Sequence, residues 1–342
     1  MIGHEIFMRR CIGLAELGLG NTRPNPLVGA VVVHEGQMIG EGFHERYGGP
    51  HAEVNAVAAV SDKSLLGGAS LYVNLEPCAH HGKTPPCAEM LVRLGIKRVF
   101  IGMKDPYPLV AGKGIRMLEE AGVRVSCGIL EEECRELNRR FLTFHEKKRP
   151  YILLKWAQSL DGIMGSGNRE RLFLTGDTVQ KLVHKWRSEE AAILVGPDTA
   201  LLDNPRLTLR CWKGNQPLRV LVDRHLRVPE THALYDRSSP TVVFNMLKEE
   251  KHKNLELIAL EDKDFLAGVM ERLHAMNIQS VMVEGGAAIL EELLRQNLWD
   301  EARLIQTDRP VGKGVRAPVL AAGYTGKEAW GKETLCRFRN PG

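Results

Sequence analysis

Apolar positions along this chain fall into two rhythms, one helical and one strand-like, and they alternate from end to end. Between residues 4 and 19, Ile6, Phe7, Leu14 and Leu17 are spaced for one face of a helix. The stretch Thr22-Arg23-Pro24-Asn25-Pro26 ends it in a turn. Leu27 to Val33 then reads as a strand with 37–42 as its hairpin partner, and Pro50 opens a helix running to Ala59. Leu71 to Leu75 is a buried strand ending at Glu76-Pro77-Cys78; after Pro85-Pro86, Cys87 to Leu94 is a helix. Strand, helix and strand are predicted at 99–102, 114–121 and 123–127. A single charged amphipathic helix is predicted over 131–148, with Cys134, Leu137, Phe141 and Phe144 as its apolar stripe. The cluster Lys147-Lys148-Arg149-Pro150 is the best domain boundary, although cations at a helix C-terminus also suit the dipole without any boundary.

From Tyr151 a second alternation begins. Strands are predicted at 151–157, 191–195, 218–223, 241–244, 280–283 and 302–306, and helices near 178–188, 264–276 and 287–295. No further pair of strands is expected after 302–306. Strands alternating with helices in both halves point to α/β layers, and the halves share no internal repeat.

Length and composition support this division. A chain of 342 residues favours two domains, expected at 1–147 and 148–342, and 44% hydrophobic residues allow a packed core in each. No apolar run is long enough to span a bilayer, and the N-terminus carries no secretory pattern, so a cytoplasmic protein is expected. Net charge is +4, without a dense basic stripe; the first 147 residues balance 17 cationic against 17 acidic side chains. That argues for a small-molecule substrate over nucleic acid. The seven cysteines are odd in number and scattered, which does not suit a disulfide framework.

The candidate chemistry lies between residues 51 and 87. His51, Cys78 and Cys87 can fill three tetrahedral positions of a zinc ion, and a catalytic zinc keeps the fourth for water. Glu53, two residues from the histidine, is a carboxylate available for proton transfer, as in zinc deaminases. Residues i and i+2 of a helix diverge by roughly 200°, so His51 and Glu53 can share a site only at a helix tip, which Pro50 supplies. Both cysteines are expected at helix starts, where thiolates are favoured. A structural zinc would need a fourth protein ligand, for which His44, His80 and His81 are candidates. The common deaminase signature places two residues between its cysteines; here there are eight.

That departure carries a resemblance. Thr22 through Ala30, Gly42-Phe43-His44, His51-Ala52-Glu53-Val54 and Glu76-Pro77-Cys78 through Thr84-Pro85-Pro86-Cys87 resemble the bifunctional riboflavin-biosynthesis deaminase/reductase family. The resemblance implies a cytidine-deaminase-like three-layer α/β/α domain followed by a dihydrofolate-reductase-like α/β domain, with zinc and NADPH as cofactors. It assigns His51, Cys78 and Cys87 to zinc, Glu53 to proton transfer, and Asn25, His44, Lys83 and Asp105 to the pyrimidine and its phosphate. The family's Asp-Pro-Asn-Pro stands here as Asp105-Pro106-Tyr107-Pro108.

The second half is less explicit on its own. No G-x-G-x-x-G supports a Rossmann site. Gly285-Gly286 lies between a predicted strand and helix, where backbone N–H groups can meet phosphate or simply make a tight turn. Lys155 and Asp161 lie at the end of an apolar strand, where ligands sit in open α/β sheets. Lys155 through Gly162, Gly196 through Arg210 and Val283 through Gly286 resemble the reductase domain of the same family. The resemblance implies NADPH at Ala157, Phe173, Thr199, Asp203, Arg224 and Gly286. It implies substrate ribose and phosphate at Lys155, Arg171, Arg187, Leu207, Arg210 and Glu284. Three of these depart from the family pattern: Arg171 replaces Ser, Phe173 replaces Trp, and Arg224 replaces Ser. The implied reactions are deamination of 2,5-diamino-6-(5-phosphoribosylamino)pyrimidin-4(3H)-one and reduction of its ribose to give 5-amino-6-(5-phosphoribitylamino)uracil, by a homo-oligomer. The alternatives are an active deaminase with an impaired, scaffolding reductase half, or a structural-zinc binding module.

Overall fold

The computed structural model describes residues 2–79, 86–107, 111–168, 170–320 and 323–342. The chain divides into two compact units, Met1–Lys147 and Lys148–Gly342.

In the first unit the elements run α1 (Ile2–Glu16), β1 (Gly29–His34), β2 (Gln37–Phe43), α2 (Ala52–Ala59), β3 (Ser70–Leu75), α3 (Cys87–Arg93), β4 (Arg98–Met103), α4 (Lys113–Glu120), β5 (Arg124–Cys127), α5 (Glu131–Leu137) and α6 (Arg139–Glu146). The sheet order is β2-β1-β3-β4-β5. β1 is antiparallel to β2 and β3, while β3, β4 and β5 are parallel. Side chains alternate across it, as a pleat requires. Ala30 and Val32 pack with Ala56 of α2, Leu91 of α3 and Leu118 of α4. Val31 and Val33 pack with Cys11 and Leu14 of α1, Cys134 of α5 and Leu142 of α6. The result is the three-layer α/β/α arrangement.

Two predictions fail here. α1 buries only half of the predicted face: Leu14 and, in part, Phe7 pack against the sheet with Met8, Cys11 and Ala15, whereas Ile6 and Leu17 are 61% and 63% exposed. The helix predicted over 131–148 is two helices, broken at buried Asn138. Its carboxamide accepts from Leu27 N (2.8 Å) and donates to Leu27 O (2.9 Å), tying the break to the segment before β1.

The second unit comprises β6 (Tyr151–Gln158), β7 (Ile163–Ser166), α7 (Asp177–Glu189), β8 (Ala192–Val195), α8 (Pro197–Asp203), β9 (Leu218–Val222), β10 (Thr241–Asn245), β11 (Glu250–His252), β12 (Leu255–Ala259), α9 (Phe265–Ala275), β13 (Ser280–Val283), α10 (Ala287–Arg295), β14 (Glu301–Thr307), β15 (Gly314–Arg316), β16 (Tyr324–Trp330) and β17 (Glu333–Arg339). The main sheet has the order β11-β12-β10-β9-β8-β13-β6-β14-β17-β16, parallel from β12 to β14. α9 and α10 pack on one face with Ile152, Leu194 and Val283; α7 and α8 pack on the other with Leu153, Ile193 and Met282. The strand pair not expected after 302–306 is present: β17 pairs antiparallel with β14, and β16 with β17. β16 is largely exposed on both faces, so its sequence lacks the apolar alternation that marks a half-buried strand.

Candidate active sites

In the first unit, α2 opens directly over the metal candidates. His51 is its N-cap, with extended backbone, and Glu53 lies in its first turn. Cys87 begins α3, and its N–H donates to Cys78 Sγ at 3.3 Å. Cys78 itself lies in irregular chain after β3, not at a helix start as predicted. His51 Nδ1 lies 3.5 Å from Cys78 Sγ and 3.3 Å from Cys87 Sγ. The three ligand atoms are within 4.8 Å of one another, and this nitrogen–sulfur–sulfur set fits a tetrahedral zinc with a position left over. The hydrogen bond with Cys87 draws the Cys78 thiol down to about 4, against burial and helped by His51. Sharing with Cys78, then burial, pushes Cys87 up. Glu53 is 3% exposed; burial, reinforced by Cys78, raises its carboxyl to about 7.

His44 is not a fourth ligand. Its Nδ1 bonds Pro50 O at 2.9 Å and its Nε2 faces Asn25 Nδ2 at 3.0 Å. With Nδ1 as donor and Nε2 as acceptor, the ring is the neutral tautomer, and burial lowers its pKa. Its ring stands edge-on to His51, centroids 5.6 Å apart. Asn25 and His44 are thus joined beside the metal candidates. Asp105 is also buried; burial, then Glu76 and Cys78, raises its carboxyl to about 6. Tyr107, at the family's Asn position, donates its N–H to Asp105 Oδ1 at 2.8 Å and turns its ring to His145. Lys83, His80 and His81 lie outside the described residues.

Two supporting residues were not singled out from sequence. Buried Asn74 accepts from Gly29 N at 2.8 Å and donates to Leu27 O at 2.9 Å, fixing the chain after Asn25. Glu76 accepts from four backbone N–H groups between Asp105 and Ile115. Only its place in Glu76-Pro77-Cys78 could have flagged it.

In the second unit a cavity of about 300 Å³ opens by the C-terminal ends of β6, β8 and β13, where open α/β sheets bind ligands. Lys155, Ala157, Arg171, Phe173, Arg187, Thr199, Asp203, Leu207, Arg210 and Glu284 all line it. Arg224 and Gly286 line a neighbouring cleft of about 350 Å³ with Gly196, Asp223 and Ile289. The two clefts meet at Val195-Gly196 and Gly285-Gly286. Gly285 has φ +115, a backbone conformation that favours glycine, and both glycines pack beside Thr199 Oγ1 at this junction.

The cavity floor is an ion-pair network. Arg187 donates to both Glu284 oxygens, at 2.5 and 2.8 Å, and Lys155 Nζ stands 3.9 Å from the same carboxylate. Burial raises the Glu284 carboxyl, but Arg187 and Lys155 prevail and hold it at about 2. Burial lowers Lys155, with Arg187 adding to the fall. Buried His184 accepts from Arg210 N at 3.3 Å; burial, then Arg187 and Arg210, brings it to about 4, so it is neutral. At the rim, Arg171 pairs with Asp203 (3.5 Å) and covers the Phe173 ring (4.7 Å to its centroid). Arg224 pairs with Asp262 at 2.8 Å and lies over Phe265. Asp161 is structural: it accepts from Val311 N and Gly312 N.

Comparison with known proteins agrees with both halves. Residues 1–103 match the cytidine and deoxycytidylate deaminase zinc-binding region, and residues 150–327 match the RibD C-terminal domain. Riboflavin biosynthesis protein RibD of Bacillus amyloliquefaciens is 43% identical over 329 residues, covering 93% of this chain and 88% of that protein. That of Actinobacillus pleuropneumoniae is 41% identical over 329 residues, covering 93% and 87%. A solved diaminohydroxyphosphoribosylaminopyrimidine deaminase/5-amino-6-(5-phosphoribosylamino)uracil reductase from Thermotoga maritima superposes with a TM-score of 0.90 at 37% identity, covering 99% of each chain. Neither an impaired reductase half nor a structural-zinc module is favoured by matches that span both domains. With a zinc-deaminase centre in one unit, a reductase cavity in the other and relatives that share both, the chain belongs to the RibD family of bifunctional, zinc- and NADPH-dependent deaminase/reductases of riboflavin biosynthesis.

Proposed function

We propose that the unit Met1–Lys147 deaminates 2,5-diamino-6-(5-phosphoribosylamino)pyrimidin-4(3H)-one, and that the unit Lys148–Gly342 reduces the ribose of the product to a ribityl chain. The observation that carries this reading is the His51–Cys78–Cys87 cluster with Glu53 buried beside it. His51, Cys78 and Cys87 would hold a zinc ion, which would make a bound water acidic enough to serve as nucleophile near neutral pH. Glu53 takes a proton from the attacking water and delivers it to the departing amino group, which leaves as ammonia. A carboxyl raised to about 7 is suited to both halves of that transfer near neutral pH. Asn25, fixed by His44, offers an amide to the pyrimidine edge, and Asp105 offers a carboxyl; Lys83 is assigned the phosphate by family position.

In the second unit, bound NADPH would supply the hydride needed to reduce the sugar carbon. Ala157, Phe173, Thr199, Asp203, Arg224 and Gly286 are the cofactor residues of this reading. Lys155, Arg171, Arg187, Leu207, Arg210 and Glu284 are the substrate residues. Guanidiniums at Arg171, Arg187 and Arg210 around one cavity suit a sugar phosphate. The Arg187–Glu284 pair orients one of them before substrate arrives.

Balanced charge in the first 147 residues supports a small substrate over a polynucleotide. No helix among the described residues is long and apolar enough to cross a membrane. The reading places the protein in the cytoplasm, a reducing compartment that suits thiolate ligands, and makes it a homo-oligomer. Purified protein should release ammonia from the diaminopyrimidine without NADPH, then oxidise NADPH on the deaminated product. Absence of the first activity refutes the deaminase assignment, and absence of the second the reductase assignment. Sedimentation at micromolar concentration tests self-association.

A further inference from the structure

Glu76 is almost fully buried, 3% exposed, and no cation neutralises it among the described residues. It is satisfied by backbone instead. Oε2 accepts from Asp105 N at 3.3 Å and Gly112 N at 2.9 Å; Oε1 accepts from Gly114 N at 2.9 Å and Ile115 N at 3.2 Å. One carboxylate therefore holds both Asp105 and the first turn of α4. The same side chain is anchored at its root, because Glu76 N donates to Met103 O at 3.0 Å. The approach is close enough to dictate sequence on the other side. A Cβ on Gly114 would lie 2.0 Å from Pro77 O, so only glycine lets α4 begin there. Gly112, at φ +79, makes the turn into the helix.

These contacts link two parts of one site. Glu76 stands two residues before the metal candidate Cys78, and the segment it holds begins with Asp105. We propose that Glu76 is a positioning residue of the deaminase: it registers Asp105 and the start of α4 against the chain that leads from β3 to Cys78, and so sets the Asp105 carboxyl at the substrate. This rests on the reading of Asp105 as a substrate contact. A buried carboxylate suits the task because its two oxygens accept several N–H bonds at once. Glutamine at this position would turn an NH₂ toward two backbone donors, so Asp105 or the start of α4 would shift while the fold around them kept its shape.

The test is a double-mutant cycle in the full-length, zinc-loaded enzyme with the phosphoribosyl diaminopyrimidine as substrate. The variants are Glu76→Gln, Asp105→Asn and the pair. Glu76→Gln should raise the deaminase KM about tenfold, equivalent to about 1.4 kcal/mol, while leaving kcat within about threefold. Zinc content and NADPH-dependent reduction of the deaminated product should be unchanged. In the Asp105→Asn background, Glu76→Gln should have little further effect, because residues acting through one another are not additive. Additive effects overturn the proposal, as does loss of zinc or of reductase activity in Glu76→Gln, since either assigns Glu76 to the metal site or the fold at large. If Asp105→Asn raises KM and Glu76→Gln does not, the positioning role alone falls. Should Asp105→Asn leave KM unchanged, the substrate reading of Asp105 falls and the proposal with it.

Discussion

The two sites solve the problem of buried charge in opposite ways. In the first unit, charge is concentrated in a few groups left for a metal and a proton: two thiols, one imidazole and the buried Glu53, whose carboxyl burial pushes up to about 7. In the second, buried charge is already paired. Arg187 and Lys155 hold the Glu284 carboxyl near 2, and the neighbouring histidine is kept neutral. The first site is primed to exchange a proton; the second is a fixed electrostatic frame around a cavity in which the cofactor does the chemistry. The difference also shows in how each is built. The metal candidates sit at or beside the starts of α2 and α3, within one short span of sequence. The reductase cavity gathers residues from 155 to 285, brought together by parallel strands that end at one edge.

The comparison breaks first at Glu53. Glu53→Gln should lower deaminase turnover by about 10²–10⁴-fold with zinc retained and NADPH oxidation on the deaminated product intact; metal analysis beside the two assays checks it. Retained turnover would remove the proton carrier from the mechanism. At Glu284 the expected loss is of stability. Glu284→Ala leaves Arg187 and Lys155 buried without their carboxylate and should destabilise the second unit by about 3–5 kcal/mol, read from its denaturant midpoint, with deamination preserved.

Acid sharpens the contrast. Glu284, depressed to about 2 in the fold against about 4.3 unfolded, contributes stability that is present above pH about 4.3 and is lost as pH falls toward 2. His184, near 4 in the fold against about 6.5 unfolded, is favoured neutral, so its contribution is full above pH about 6.5 and declines as pH falls toward 4. The second unit should therefore begin to lose thermal stability just below pH about 6.5. A His184→Gln variant should flatten the upper part of that profile and leave the lower. The smallest effect is expected at Arg171. Its pair with Asp203 is more than half exposed on the arginine side and worth under about 1 kcal/mol. Arg171→Ser should leave the melting temperature nearly unchanged, measured by calorimetry.

Much of the architecture was legible in the sequence because most strands are buried and short, and their apolar runs mark them. The predicted strands at 71–75, 191–195, 241–244 and 280–283 all correspond to observed ones. Where reading failed, side-chain pattern did not carry the information. β16 lies at the sheet edge and is held to β17 by backbone bonds, so exposed polar residues serve as well as apolar ones. Of the apolar positions read at the N-terminus, the sheet face of β1 and β3 decided that Phe7 and Leu14 would be covered with Met8 and Cys11 while Ile6 and Leu17 would not. The break at Asn138 exists to bond Leu27, a contact 111 residues away in sequence that no local propensity records.

The chain's own sequence determined the candidates for the chemistry: His51, Cys78 and Cys87 as a possible metal set, Glu53 as the carboxylate beside them, and a helix tip at residue 51 that holds His51 and Glu53 together. Tertiary structure decided their electrical state and their support. Burial sets Glu53 near 7, a through-space pair sets Glu284 near 2, and four N–H groups from a remote segment converge on Glu76. Residue type and spacing are local properties that a sequence states directly. Desolvation, ion pairing and backbone convergence depend on what the fold brings alongside, and they come into being only when the layers close.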